Sequence, residues 1–94
     1  MNNEKLYGRD GLMIIAAVRY CIGRMSYIVS DCADWILENW NEWPENVRSI
    51  VKRDIDEAFK RDDEAREFTS QYFPLGMDCD REQWERVRSL WSNA

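Results

Sequence analysis

An all-α domain is predicted by three features of this 94-residue chain. Its apolar residues recur at i, i+3, i+4 and i+7 along most of its length. Only two prolines and four glycines interrupt it, and each falls where one helix can give way to the next. No hairpin dipeptide or sustained period-2 run marks a strand. The length allows one domain, so residues 1–94 are read as a single compact bundle of about four helices with a short C-terminal helix. A chain this size buries only about 60–65% of the surface its unfolded form exposes. Its core is thin, and self-association would help it.

Residues 1–9 are polar and mixed in charge, and are expected to be flexible. The first helix starts near Asp10, a good N-cap, with Gly11 just inside. Three stripes run along it: Leu12, Ile15, Ala16, Arg19 and Ile22; Met13, Ala17, Tyr20 and Arg24; Ile14, Val18, Cys21 and Met25. Nearly every face is apolar, which marks a central helix with the others packed around it. Gly23 ends or kinks it, and a break is preferred to one long bent rod. The second helix runs from about Ser26 to Asn41, with Ile28, Val29, Cys32, Ile36 and Trp40 at apolar spacing. Trp43-Pro44 is the clearest boundary, since proline suits a first helical turn and disfavours helix before it. The third helix, Pro44 to Asp62, buries Val47, Ile50, Val51, Ile55, Ala58 and Phe59 and exposes a charged face. Residues 63–70 either prolong it or form a loop. Tyr72 to Met77 reads as an ordered apolar loop. Asp80-Arg81-Glu82-Gln83 resembles a capping box and starts the fourth helix, with Trp84, Val87, Leu90 and Trp91 on one face.

Composition excludes more than it identifies. The formal net charge is −5, with no strong polarity along the chain, so direct DNA binding is not expected. The fourth helix balances three arginines against three acids, unlike a basic recognition helix. There is no histidine, which removes the commonest general base and metal ligand. There is no phosphate-binding glycine loop and no nucleophile–histidine pairing. Cys21, Cys32 and Cys79 lack Cys-x-x-Cys spacing and read as free thiols, two of them in apolar helices. No metal or other cofactor is expected. The longest early apolar run, Leu12 to Val18, is too short for a membrane span and lacks signal-peptide flanks. The cytoplasm is therefore the expected compartment, with no membrane partner.

Three groups of side chains are candidates for function. Arg19, Arg24, Asp31 and Asp34 lie on apolar helical segments and are expected to form a buried polar network between the first two helices. That network is either structural or the wall of a small-ligand pocket. Trp40 and Trp43, beside Asn39, Asn41 and Glu42, either cap the core or anchor a partner. Asp56, Asp62, Asp63, Glu64 and Glu67 are either a solvated face or a carboxylate array that meets basic residues on a partner.

Arg19-Tyr20, Gly23-Arg24, Ser26-Tyr27-Ile28-Val29 and Asp34-Trp35 resemble a recurring pattern in small accessory proteins of phages and prophages. Cys79-Asp80 followed by Trp84 is similar to the tail of the same group. The likeness covers roughly 25 residues closely and carries no catalytic residues over. It implies a phage protein acting inside a bacterium, of the kind that inhibits host defence as anti-CRISPR proteins do. The function expected is a non-enzymatic protein that occludes a host protein or protein–nucleic-acid complex, such as a CRISPR effector or nuclease. The alternatives are a self-associating accessory protein, plausibly a homodimer through the first helix, or a small-ligand binder using the Arg/Asp pocket.

Overall fold

Four α-helices make up the computed structural model, which describes residues 3–24, 26–68, 74–76 and 78–92. Among the described residues there is no strand. Helix α1 spans Asn3–Cys21 and is interrupted at Gly8, whose backbone (φ 77°, ψ 163°) is not helical. Helical conformation therefore begins at Asn3, ahead of the predicted start. Asp10, the predicted N-cap, instead falls within the piece that resumes after Gly8.

Gly23 separates α1 from α2, Ser26–Asn39, so the two are distinct helices. Its φ of 80° lies in the left-handed region. The turn is closed by Ile22 N donating to Val18 O (3.2 Å) and Arg24 N donating to Cys21 O (3.1 Å). A Cβ at position 23 would also stand 3.0 Å from the Pro74 carbonyl oxygen. Gly23→Ala is expected to cost about 1–2 kcal/mol through the left-handed backbone alone. Urea denaturation checks this, and an unshifted midpoint would show that the turn relaxes freely.

Helix α2 ends in a 3-10 turn, Trp40–Glu42, closed by Trp43 N donating to Trp40 O at 3.3 Å. Trp43 is extended (φ −77°, ψ 142°), as a residue before proline must be. Helix α3 then runs Glu45–Phe68; the ambiguous residues 63–68 continue it beyond Asp62. Helix α4 is Asp78–Ser92, beginning just before Asp80. Of the expected apolar loop, Leu75 is fully buried, whereas Tyr72, Phe73 and Met77 lie outside the described residues.

Cross-helix contacts set the arrangement. A Cβ on Gly11 would meet Val47 Cγ2 at 2.9 Å, and Arg19 reaches Asp54, so α1 and α3 run side by side in the same direction. Asp34 pairs with Arg86 and Trp40 packs on Trp91, so α2 and α4 do likewise. Asp62–Arg81 and Asp56–Arg88 make α3 and α4 antiparallel. The core lies where these pairs meet: Val47, Val51, Ile55 and Phe59 of α3, Val29, Ala33 and Ile36 of α2, and Trp84 and Val87 of α4. The first helix is not central, contrary to the expectation from its apolar faces. It buries Gly11, Ile15 and Val18, and turns Met13, Ala16, Ala17 and Tyr20 to solvent.

Candidate functional site

The expected Arg/Asp network between the first two helices does not form. Arg19 is more than half exposed and donates from Nε to Asp54 Oδ2 at 2.6 Å. Hydrogen bonding to Asp54 raises the Arg19 pKa, with desolvation working against it. Arg24, in the turn past the end of α1, donates from Nε back to Tyr20 O, 2.9 Å away. Asp31 is exposed, and Asp34 pairs with Arg86 of α4 at 3.0 Å. The four groups point outward because the buried sides of α1 and α2 are filled by Ile15, Val18, Val29 and Ile36. Among the described residues the four do not come together to line a pocket. A groove of about 240 Å³ between α1 and α3 contains Arg19, with Asp54, Glu57 and Arg61 around it.

Trp40 and Trp43 are not available as partner anchors. Both are buried, because the 3-10 turn folds them inward onto other indoles. Trp43 meets Trp35 at 5.0 Å and Trp40 at 6.0 Å between ring centroids, and Trp40 meets Trp91 at 5.2 Å. Edge-to-face and tilted contacts of this kind stabilise beyond the area they bury.

The carboxylate array is largely engaged by the chain's own cations. Asp62 is 0% exposed. It accepts from Arg66 Nε at 2.7 Å and from Arg81 Nη1. Asp63 accepts from Arg81 Nη2 at 2.7 Å. Burial pulls the Arg81 pKa down, but its hydrogen bonds to Asp62 and Asp63 outweigh this and leave it raised. The Arg81 and Arg88 guanidiniums also stack on Phe59, 4.9 and 4.5 Å from the ring centroid. Asp56 accepts from Trp91 Nε1 at 3.2 Å and lies 3.2 Å from Arg88 Nε. Glu64 and Glu67 remain in solvent. Asp62 therefore belongs to an α3–α4 latch and not to a binding surface.

Cys21 and Cys32 are free thiols. Burial first, and a hydrogen bond with Cys21 second, push the Cys32 thiol well up, so it stays protonated and weakly nucleophilic at neutral pH. Among the described residues, no three Cys, Asp or Glu side chains are arranged to hold a metal ion. No described helix is long and apolar enough to cross a membrane.

What the structure leaves open is the outward face of α1. Met13 is 64% exposed and Tyr20 58%. Ala16 and Ala17 lie exposed between them. Arg9 and Arg24 stand at the two ends of this stripe, both exposed. Tyr27, at the start of α2, is 66% exposed. Met13, Ala17, Tyr20 and Arg24 already share a stripe in the sequence. Nothing local distinguishes that stripe from those that bury Ile15 and Val18, because the covering comes from the other helices. Phe68 is also exposed, at the last position of α3 beside residues outside the description. No protein-family model, curated protein or solved structure matches the chain.

Proposed function

We propose that this chain is a non-catalytic binding protein that engages a partner protein stoichiometrically through the outward face of α1. The observation that carries this reading is the exposure of Met13 and Tyr20 on one straight helical stripe. Contiguous apolar surface left in solvent marks interaction sites. The candidate carboxylates support the same choice, since Asp56, Asp62 and Asp63 are held by the chain's own arginines or by Trp91. Following the resemblance of residues 19–35 to phage accessory proteins, the partner class is a host-defence nuclease or CRISPR effector, occluded in the bacterial cytoplasm. A second copy of the chain is the competing occupant of the same face.

Met13→Glu and Tyr20→Glu test this. Both positions are exposed, so each change is expected to shift stability by no more than about 0.5 kcal/mol. Each is expected to weaken partner capture by about ten-fold or more, as central interface residues do. The measurement is affinity capture from bacterial host lysate with quantification of each recovered subunit, alongside light scattering of the free protein. Equal recovery of one defence subunit by wild type and both variants would remove α1 from the interface. A dimer dispersed by the same variants would favour self-association.

A further inference from the structure

Resting on the reading of α1 as the docking face, we infer that its partner presents an amphipathic helix whose apolar stripe is flanked by carboxylates. The stripe is basic at its rim although the chain carries a net charge of −5. Arg9, near the start of the stripe, and Arg24, in the turn just past the end of α1 at Cys21, close its two ends. Neither makes an ion pair among the described residues. Asp10, exposed beside Arg9, is an acid on this flank. Arg19, at the edge, is committed to Asp54.

Arg24 is the more telling of the two. Its Nε is fixed on Tyr20 O at 2.9 Å, and its guanidinium lies 4.5 Å from the Tyr20 ring centroid. The side chain is thus held against the apolar surface with its charge unneutralised. A carboxylate arriving beside Tyr20 would find the cation already ordered, which reduces the entropy cost of the pair. A planar guanidinium also favours a carboxylate over other acceptors. Between the arginines, Ala16 and Ala17 form a dip flanked by Met13 and Tyr20. The dip admits the ridge of another helix, since small side chains at a crossing shorten the distance between axes. From Arg9 to its end at Cys21 the helix is about 18 Å long, so length, dip and end charges together describe a partner helix of at least three turns with acids on its flanks.

Two other occupants fit less well. An anionic bilayer would gain about 1 kcal/mol from each arginine near its surface, and the stripe offers few apolar side chains to add to that. A second copy paired through the same face would bring the arginines of one α1 toward those of the other, like charge toward like.

The test uses the full chain and two designed helical peptides of about 18 residues. Both carry the same leucine stripe; one is flanked by glutamates and the other by lysines. Affinities are measured by fluorescence anisotropy of the labelled peptides at low and high salt. The glutamate peptide is expected to bind one-to-one and at least about ten-fold tighter than the lysine peptide. Salt should narrow the difference. The double variant Arg9→Glu, Arg24→Glu should reverse it, with circular dichroism confirming an unchanged fold. Equal binding of both peptides, lost in Met13→Glu, overturns the charge inference and leaves α1 docking standing. Binding of neither peptide overturns the helical-partner inference, and the capture experiment still decides whether α1 docks at all. A dimer dispersed by Met13→Glu gives the face to a second copy. Tighter association with phosphatidylcholine–phosphatidylglycerol vesicles than with the glutamate peptide gives it to a membrane surface.

Discussion

Trp84→Ala is expected to lower stability by about 4 kcal/mol, a large share of the roughly 5–14 kcal/mol available to a domain of this length. Trp84 is the largest of the fully buried side chains. It sits on α4 at the point where that helix meets the core formed by α2 and α3. The thin core has no redundancy there, so the cavity cannot be filled by a neighbour without breaking another contact. Trp84→Phe is expected to behave differently. Among the described residues the buried Trp84 Nε1 has no hydrogen-bond acceptor, and a buried unmade donor costs about 1–3 kcal/mol. Phenylalanine removes that donor while leaving a smaller void, so the two effects oppose and the net change should fall within about 1 kcal/mol. Urea unfolding followed by circular dichroism, which does not depend on the indole signal, compares the variants. Equal losses for Ala and Phe would mean that the indole N–H contributes to stability.

The same thin core explains which parts of the fold could be read from sequence. Helix α3 was the most legible element. Val47, Val51, Ile55, Ala58 and Phe59 are all buried as their spacing predicts, because one face of α3 is heavily charged and only the other can go inside. Asp62 follows the same spacing, seven residues after Ile55. Its position on the buried stripe was a signal that it does not belong with the exposed acids. Helix α1 was the least legible. With apolar residues on every side, the sequence could not say which side would lack a neighbour. That depends on α1 lying beside α3, a tertiary fact. The pairs Arg19–Asp54 and Asp34–Arg86 join residues 35 and 52 positions apart, so no local pattern reveals them. Trp40 and Trp43 were misleading for a related reason. Their polar neighbours suggest exposure, but the 3-10 turn rotates the indoles inward onto Trp35 and Trp91. Polar sequence context reports the side of the chain that faces water, and in a tight turn adjacent residues face both ways.

Asp62→Ala is the second large effect expected, about 3 kcal/mol, and its comparison with Asp63→Ala isolates the cause. Both carboxylates receive hydrogen bonds from Arg81. Asp62 is fully buried, however, whereas Asp63 is 59% exposed. Removing Asp62 leaves Arg81 on Phe59, largely shielded from water, with only the solvated Asp63 and Glu85 to balance it. Arg66, which donates to Asp62 Oδ2 from the next turn of α3, loses that acceptor as well. Removing Asp63 takes away one exposed partner, and the expected cost is at most about 1 kcal/mol. A double-mutant cycle should accordingly give a coupling of about 2 kcal/mol for Asp62 with Arg81 and less than about 1 kcal/mol for Asp63 with Arg81. Because the latch joins the last turns of α3 to the first turn of α4, its loss should raise amide exchange in residues 80–84 before it affects the middle of α3. Equal costs for the two alanine variants would mean that Asp62 is effectively solvated. It would then return to the set of acids available to a partner. Unequal costs as stated would keep it in the architecture, and charge reversal at Asp62 could not then be used to probe binding, since any lost activity would follow from lost structure.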